Sequence, residues 1–250
     1  MTTETIEITT PDGVADALFV RPDEGDHPAV LLFMDAFGIR PQIQEMAERI
    51  AGWGYTVLAP NLFYRDGVAA ELAPKEDLSI AANREAYMGT LMPRMRGFTL
   101  DQSGPDIEAY VATLLGMNGV SGTAIGTTGY CMGGALSMRT AAAMPDKIAA
   151  SGSFHGGNLA NDRDHSPHRL LAEANPDTEL YFGHADQDAS MPTEAIELLE
   201  STLTEAGLAF TSELYPGALH GYTMADTSQY QEAGAERHYS ALQDLFGRNL

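Results

Sequence analysis

Three short stretches of the chain hold residue types that together can carry out acyl transfer. The sharpest is Gly129-Tyr130-Cys131-Met132-Gly133-Gly134, set where an apolar strand-like run meets a helix of small residues. A nucleophile on a tight strand–turn–helix elbow sits in a strained backbone conformation. Its neighbours two places before and two after must be small, because strand and helix approach closely there, and Gly129 and Gly133 occupy those places. The elbow aims the thiol out of the carboxyl edge of a sheet and at the start of a helix. There, free N–H groups and the helix dipole favour a thiolate and a developing oxyanion. A buried cysteine in a glycine-rich packing turn is the bland alternative. Against it, Cys131 is the only cysteine of the chain and sits at the centre of the motif.

A nucleophile of this kind needs a base, and the base needs a group to orient it. The Leu180-Tyr-Phe run ends in Gly183-His-Ala-Asp186, a G-x-x-D that puts a carboxylate on the loop after a strand. Asp186 is therefore the expected orienting acid, and Asp188, two residues on, is its rival. Tyr215-Pro-Gly-Ala-Leu-His220-Gly-Tyr222 ends the last strand with a histidine in a Gly-flanked loop, which makes His220 the expected base. Nucleophile, acid and histidine follow in that order, each at the edge where open α/β sheets place their sites.

Other residues carry weaker signals. His155, in Ser153-Phe-His-Gly-Gly157, ends another strand and either touches substrate or packs in its loop. His165 and His168 share a polar loop with Asp162 and Asp164, but their spacing does not suggest a metal site, and none is expected. Gly116, Gly119 and Gly122 fit no phosphate-binding spacing and no nucleotide or flavin motif occurs, so no cofactor is expected. The 12 methionines read as core filling.

The elements that must position these residues alternate between buried strands and amphipathic helices. That pattern describes an α/β fold with a mostly parallel sheet and helices on both faces. Ile6 to Thr9 and Ala15 to Val20 form an opening hairpin around Pro11-Asp12-Gly13. Strands follow at Ala29 to Met34, Tyr55 to Ala59, Ala124 to Tyr130, Ile148 to Phe154, Glu179 to Phe182 and Phe210 to Tyr215. Helices are expected from Pro41 to Ala51, Pro105 to Gly116, Gly133 to Met144 and Pro192 to Ala206, and over roughly 228–247. Residues 61–103 are irregular, with a helix near 79–90, and read as an excursion over the active-site edge. Asp162 to Ala174 is a polar loop with one helical turn. With no linker or repeat, the chain is expected to form one domain over residues 1–250.

Thirty-five acidic residues against 14 basic ones give a net charge of −21, a field that repels nucleic acid and anionic membranes. No apolar stretch reaches the roughly 18 to 20 residues a membrane span needs. The start, Met1-Thr-Thr-Glu-Thr-Ile-Glu, has neither the basic region nor the apolar core of a secretory signal, and one cysteine suits a reducing compartment. The expectation is a cytoplasmic protein, a monomer or homodimer, acting on a small molecule.

G-Y-C-M-G-G, the G-x-x-D of Gly183 to Asp186 and the P-G-x-x-H-G-Y of Pro216 to Tyr222 resemble the dienelactone hydrolase (carboxymethylenebutenolidase) family. The resemblance runs from about residue 5 to about residue 247. It implies the α/β-hydrolase fold and hydrolysis of small esters or lactones through Cys131, His220 and an Asp, with a thioester intermediate. A non-catalytic ligand-binding relative and a thiol redox protein using Cys131 are the alternative readings. The family's glutamate after the third strand, which contacts the resting thiol, corresponds to Asp35 in Met34-Asp-Ala-Phe-Gly38. By the same likeness, the N–H groups of Ala36 and Met132 form the oxyanion hole. Of the family's two carboxylate-binding arginines, one position is Met224 here. The other falls in Arg84-Glu-Ala-Tyr87, one residue shorter than the family's segment, which makes Arg84 and Tyr87 candidate substrate contacts. Losing a charge-assisted contact at Met224 favours a neutral ester or lactone.

Overall fold

A computed structural model describes residues 1–250, apart from the side chain of Leu100. Contacts within the chain cluster into two compact units. One comprises Met1–Thr123 with Asp226–Ser228, the other Ala124–Ala225 with Gln229–Leu250.

In the first unit the strands lie in the order β1-β2-β4-β3. β1 (Thr2–Thr10) and β2 (Gly13–Arg21) make the expected hairpin, in register from Thr2 opposite Arg21 to Thr10 opposite Gly13. β2 pairs antiparallel with β4 (Thr56–Pro60), and β4 pairs parallel with β3 (Ala29–Phe33). Every residue of β3 and β4 is buried, which accounts for the unbroken apolar run of β3 and the apolar residues 57–60 of β4. α1 (Pro41–Ala51) begins on its proline and buries Ile43, Met46, Ala47 and Ile50, one stripe of a 3.6-residue period.

The segment read as irregular is largely helical. It contains α2 (Ala69–Leu72) and α3 (Ala81–Gly97), and α3 runs past the expected end near residue 90 with Pro93 inside it. α4 (Leu100–Leu115) starts five residues before the expected Pro105. The reason is a capping box in which Thr99 and Gln102 satisfy each other's backbone amides, so Pro105 lies within the helix. Ile107, Tyr110, Val111 and Leu114 of α4 are buried.

In the second unit β5 (Ile125–Tyr130), β6 (Ile148–Phe154), β7 (Glu179–Gln187) and β8 (Phe210–Leu219) are all parallel and adjacent in that order. Alternate residues of β6 face opposite ways. Ser151 bonds Ser137 of α5 (Met132–Ala143), while Phe154 packs on His238 of α8 (Glu232–Asn249) at 4.6 Å. The two helices therefore cover opposite faces. Thr127 of β5, Ser137 and Ser151 close a buried ring of three hydroxyls at 2.7–2.8 Å, pinning α5 against β5 and β6. On the other face, a Cβ on Gly126 would lie 2.6 Å from the Phe246 ring, so glycine there lets α8 seat. α6 (Pro167–Leu171) is the single turn expected in the polar loop, and α7 (Thr193–Glu205) follows Pro192.

β7 and β8 run well past their expected ends at Phe182 and Tyr215. Pairing continues to Gln187 opposite Leu219, across a bulge in which Pro216, Gly217 and Ala218 of β8 face only Asp186 of β7. Gly217 takes φ +69 there, open to glycine at little cost. No helix among the described residues is long and apolar enough to cross a membrane.

Candidate active site

Cys131 stands between β5 and α5 with φ 57 and ψ −118, the strained conformation expected of an elbow. The backbone cannot reach it without glycine at position 129: a Cβ there would fall 1.9 Å from the Gly133 carbonyl oxygen. The Cys131 N–H donates to the Phe154 carbonyl at 3.2 Å, tying the turn to the end of β6. Cys131 is half-buried and Met132 opens the first turn of α5, where backbone amides have no partner inside the helix.

His220 follows the last residue of β8 and hydrogen-bonds the Cys131 side chain. On its other side, Nδ1 lies 2.6 Å from Oδ2 of Asp188, a carboxylate only 3 % exposed. This corrects the expected acid. Asp186 is exposed, and its Oδ2 accepts the Gly217 N–H of the β8 bulge at 2.8 Å. The G-x-x-D spacing points to Asp186 only if β7 ends at Phe182. Because β7 continues to Gln187, the loop that faces His220 begins two residues later. Ser190 braces the carboxylate, its N–H and hydroxyl reaching Oδ1 of Asp188 at 2.8 and 2.6 Å.

The electrostatics follow from this line of groups. Burial opposes charge on His220, but the Cys131 sulfur and the Asp188 carboxylate outweigh it and push the imidazole up to about 10. Burial raises Asp188, and hydrogen bonds from His220 and Ser190 more than offset that, leaving its carboxyl below the usual range. The imidazole thus stands between the Cys131 side chain and a carboxylate that favours its protonated form.

His155 does not open onto a surface. It is 1 % exposed, its ring stands edge-on to His220 at 5.2 Å, and its Nε2 lies 2.8 Å from Thr223 Oγ1. The ring is packed within the loop. Met224 is also 1 % exposed, its N–H donating to Gly221 O at 2.9 Å, so neither of these expected substrate contacts offers surface to a ligand in this conformation.

The remaining expected residues lie in the first unit. Both oxygens of Asp35 are held by the buried Arg40, at 2.7 Å from Nη1 and 3.1 Å from Nη2, and Oδ1 also accepts the Phe37 N–H at 3.1 Å. Arg40 in turn reaches Asp226 at 2.6 Å through Nε and 3.1 Å through Nη2. Burial works against the guanidinium, yet the two carboxylates hold it cationic beyond its ordinary range. The sequence reading missed Arg40 and Asp226. An arginine immediately before the helix-opening Pro41 was the available signal. Ala36 is buried between β3 and α1. Phe37 stacks on Tyr87 at 5.9 Å, and the Arg84 guanidinium lies 5.7 Å from the Phe37 ring with its buried Nε lacking a hydrogen-bond partner among the described residues.

His168 Nδ1 pairs with Ser166 at 2.8 Å, and no group of three potential metal ligands occurs among the described residues.

Known proteins share both the sequence and the fold. A protein of Methylorubrum extorquens named "Putative carboxymethylenebutenolidase" is 26 % identical over 245 residues, covering 96 % of this chain and 79 % of its own. The carboxymethylenebutenolidase of Rhodococcus opacus is 27 % identical over 224 residues, covering 89 % and 81 %. The crystal structure titled "Putative Dienelactone Hydrolase" from Klebsiella pneumoniae superposes with a TM-score of 0.83 at 21 % identity, over 99 % of this chain and 98 % of that one. The α/β-hydrolase architecture is therefore common to both. The model of the dienelactone hydrolase family matches residues 15–250, from the second strand through the final helix, and this chain is a member of that family.

Proposed function

We propose that the protein hydrolyses small carboxylic esters or lactones through Cys131, His220 and Asp188. The observation that carries this reading is the unbroken hydrogen-bonded line from the elbow thiol through the imidazole to a buried carboxylate.

His220 takes the thiol proton, and the sulfur attacks the acyl carbon, forming a C–S bond while the carbonyl π electrons move onto oxygen. The Met132 amide, at the start of α5, stabilises that oxyanion, a role suggested by the family likeness. On collapse the C–O bond breaks, and the leaving alkoxide takes the proton from His220. A thioester remains; in a lactone the freed alcohol stays tethered to the acyl group. Water then gives a proton to His220 and attacks the thioester, and its collapse expels the thiolate and releases the acid. Asp188 fixes Nδ1–H and stabilises the imidazolium at each stage.

A small neutral substrate suits the residues, since Met224 replaces an arginine and is buried. A cytoplasmic setting and a monomer or homodimer belong to the same reading. Mixing the protein with an excess of an activated aryl ester should give a burst of phenol equal to the enzyme concentration, then a slower steady rate. A Cys131→Ala variant that turned over at the wild-type rate would end the proposal.

A further inference from the structure

His155 has two features that a residue serving only to fill space would not. Its backbone sits at φ 39, in the left-handed region, without being glycine. Its side chain is 1 % exposed, yet Nδ1 has no hydrogen-bond partner among the described residues. A buried polar atom left in that state costs about 1–3 kcal/mol. A phenylalanine ring would occupy the same space without that cost.

What the imidazole does that a hydrocarbon ring would not is bond Thr223 Oγ1 at 2.8 Å while standing edge-on to His220 at 5.2 Å and 67°. Thr223 is three residues beyond His220 in the turn where Tyr222 N–H meets Leu219 O and Met224 N–H meets Gly221 O. Asp188 grips one edge of His220. We propose that His155 is a positioning residue, walling the His220 ring and clasping its loop at Thr223 so that the imidazole stays on the Cys131 sulfur. The inference rests on the reading of His220 as the base of Cys131.

The groups around His155 keep it in one protonation state. Tyr130 from β5 lies tilted at 6.0 Å and Tyr222 from the His220 loop stands edge-on at 5.3 Å, with His220 and His238 nearby. Burial first, then those two histidines, hold His155 well below the usual histidine range, so it remains neutral beside a charged neighbour.

The test is the pH dependence of iodoacetamide alkylation at Cys131, the sole thiol, in the full-length protein. His155→Phe keeps the ring and removes the clasp; Thr223→Val removes the clasp and leaves His155; Thr223→Ser keeps the hydroxyl. Both clasp-breaking variants should shift the alkylation profile to higher pH and slow the reaction at pH 6 by about tenfold. Thr223→Ser should match wild type. Unchanged profiles in folded Thr223→Val and His155→Phe would overturn the proposal. If His155→Phe does not fold, Thr223→Val decides alone. Alkylation needs no ester, so shifted variant profiles in a protein that hydrolyses no ester would sink the hydrolase reading and leave this one standing.

Discussion

Replacing Asp188 with asparagine removes a charge without removing bulk. The carboxylate oxygen is 2.6 Å from His220 Nδ1, and the side chain is 3 % exposed, so little solvent screens the pair. Charge centres about 4 Å apart at an effective dielectric near 20 attract by about 4 kcal/mol. Asparagine keeps one oxygen that can accept Nδ1–H, so part of the interaction survives, leaving a loss of about 3–4 kcal/mol in the transition state, where His220 is cationic. At about 1.4 kcal/mol per decade, kcat/KM should fall by about 10² to 10³. Asp186→Asn should differ sharply. Asp186 is exposed and contributes one hydrogen bond, to Gly217 N–H at 2.8 Å, which an amide oxygen can also accept. That change should cost under about 1 kcal/mol, less than about fivefold. The assay is kcat/KM for a neutral aryl ester, with melting temperatures to exclude unfolding. If Asp186→Asn proved the more damaging, or if folded Asp188→Asn kept activity within tenfold of wild type, Asp188 would not be orienting the base.

Three further expectations come from the same geometry. His220 is raised from the ordinary histidine value to about 10, so its stabilising contribution is complete below about 6.5 and is lost as pH rises through about 10; urea melts across that window should slope downward, and Cys131→Ala should flatten the slope. Arg40→Met leaves Asp35 and Asp226 facing each other with no cation, which should cost about 3–5 kcal/mol and lower Tm by about 10 °C in calorimetry; a Tm within two degrees of wild type would refute it. Neutral short-chain esters should show higher kcat/KM than size-matched carboxylated ones at high salt, and Arg84→Gln should reduce only the carboxylated class; a reversed preference in the wild type would mean another arginine serves the carboxylate.

Local spacing carried the site as far as local structure decides it. Gly129 and Gly133 revealed the elbow because the contact that demands them lies within six residues of sequence. His220 was readable for a similar reason, from the Gly-flanked end of β8. Asp188 was ranked below Asp186 because the end of β7 is set by pairing with β8, about 30 residues away, and by a bulge that shifts register between Ala185 and Gln187. The α4 start was missed because Pro105 is a strong helix-opening signal, while Thr99 and Gln102 form a weaker one that tertiary packing of Ile107 and Tyr110 makes decisive. Arg40 meets Asp226 across 186 positions, a separation no pattern of spacing reveals.

The hydroxyl ring of Thr127, Ser137 and Ser151 bears on how this protein can change over generations. Each hydroxyl of the closed ring has its two ring neighbours as partners, with Ser151 also 4.0 Å from the Met138 sulfur. Replacing one by alanine leaves the other two with an unmet donor or acceptor in a dry interior, whereas replacing all three by apolar residues of matching volume leaves no polar atom to satisfy. A lineage drifting one substitution at a time must therefore cross a valley to leave this arrangement, while the far side is level ground. The ring should consequently be kept whole or abandoned together, and a library varying the three positions jointly should return functional clones mainly at those two extremes.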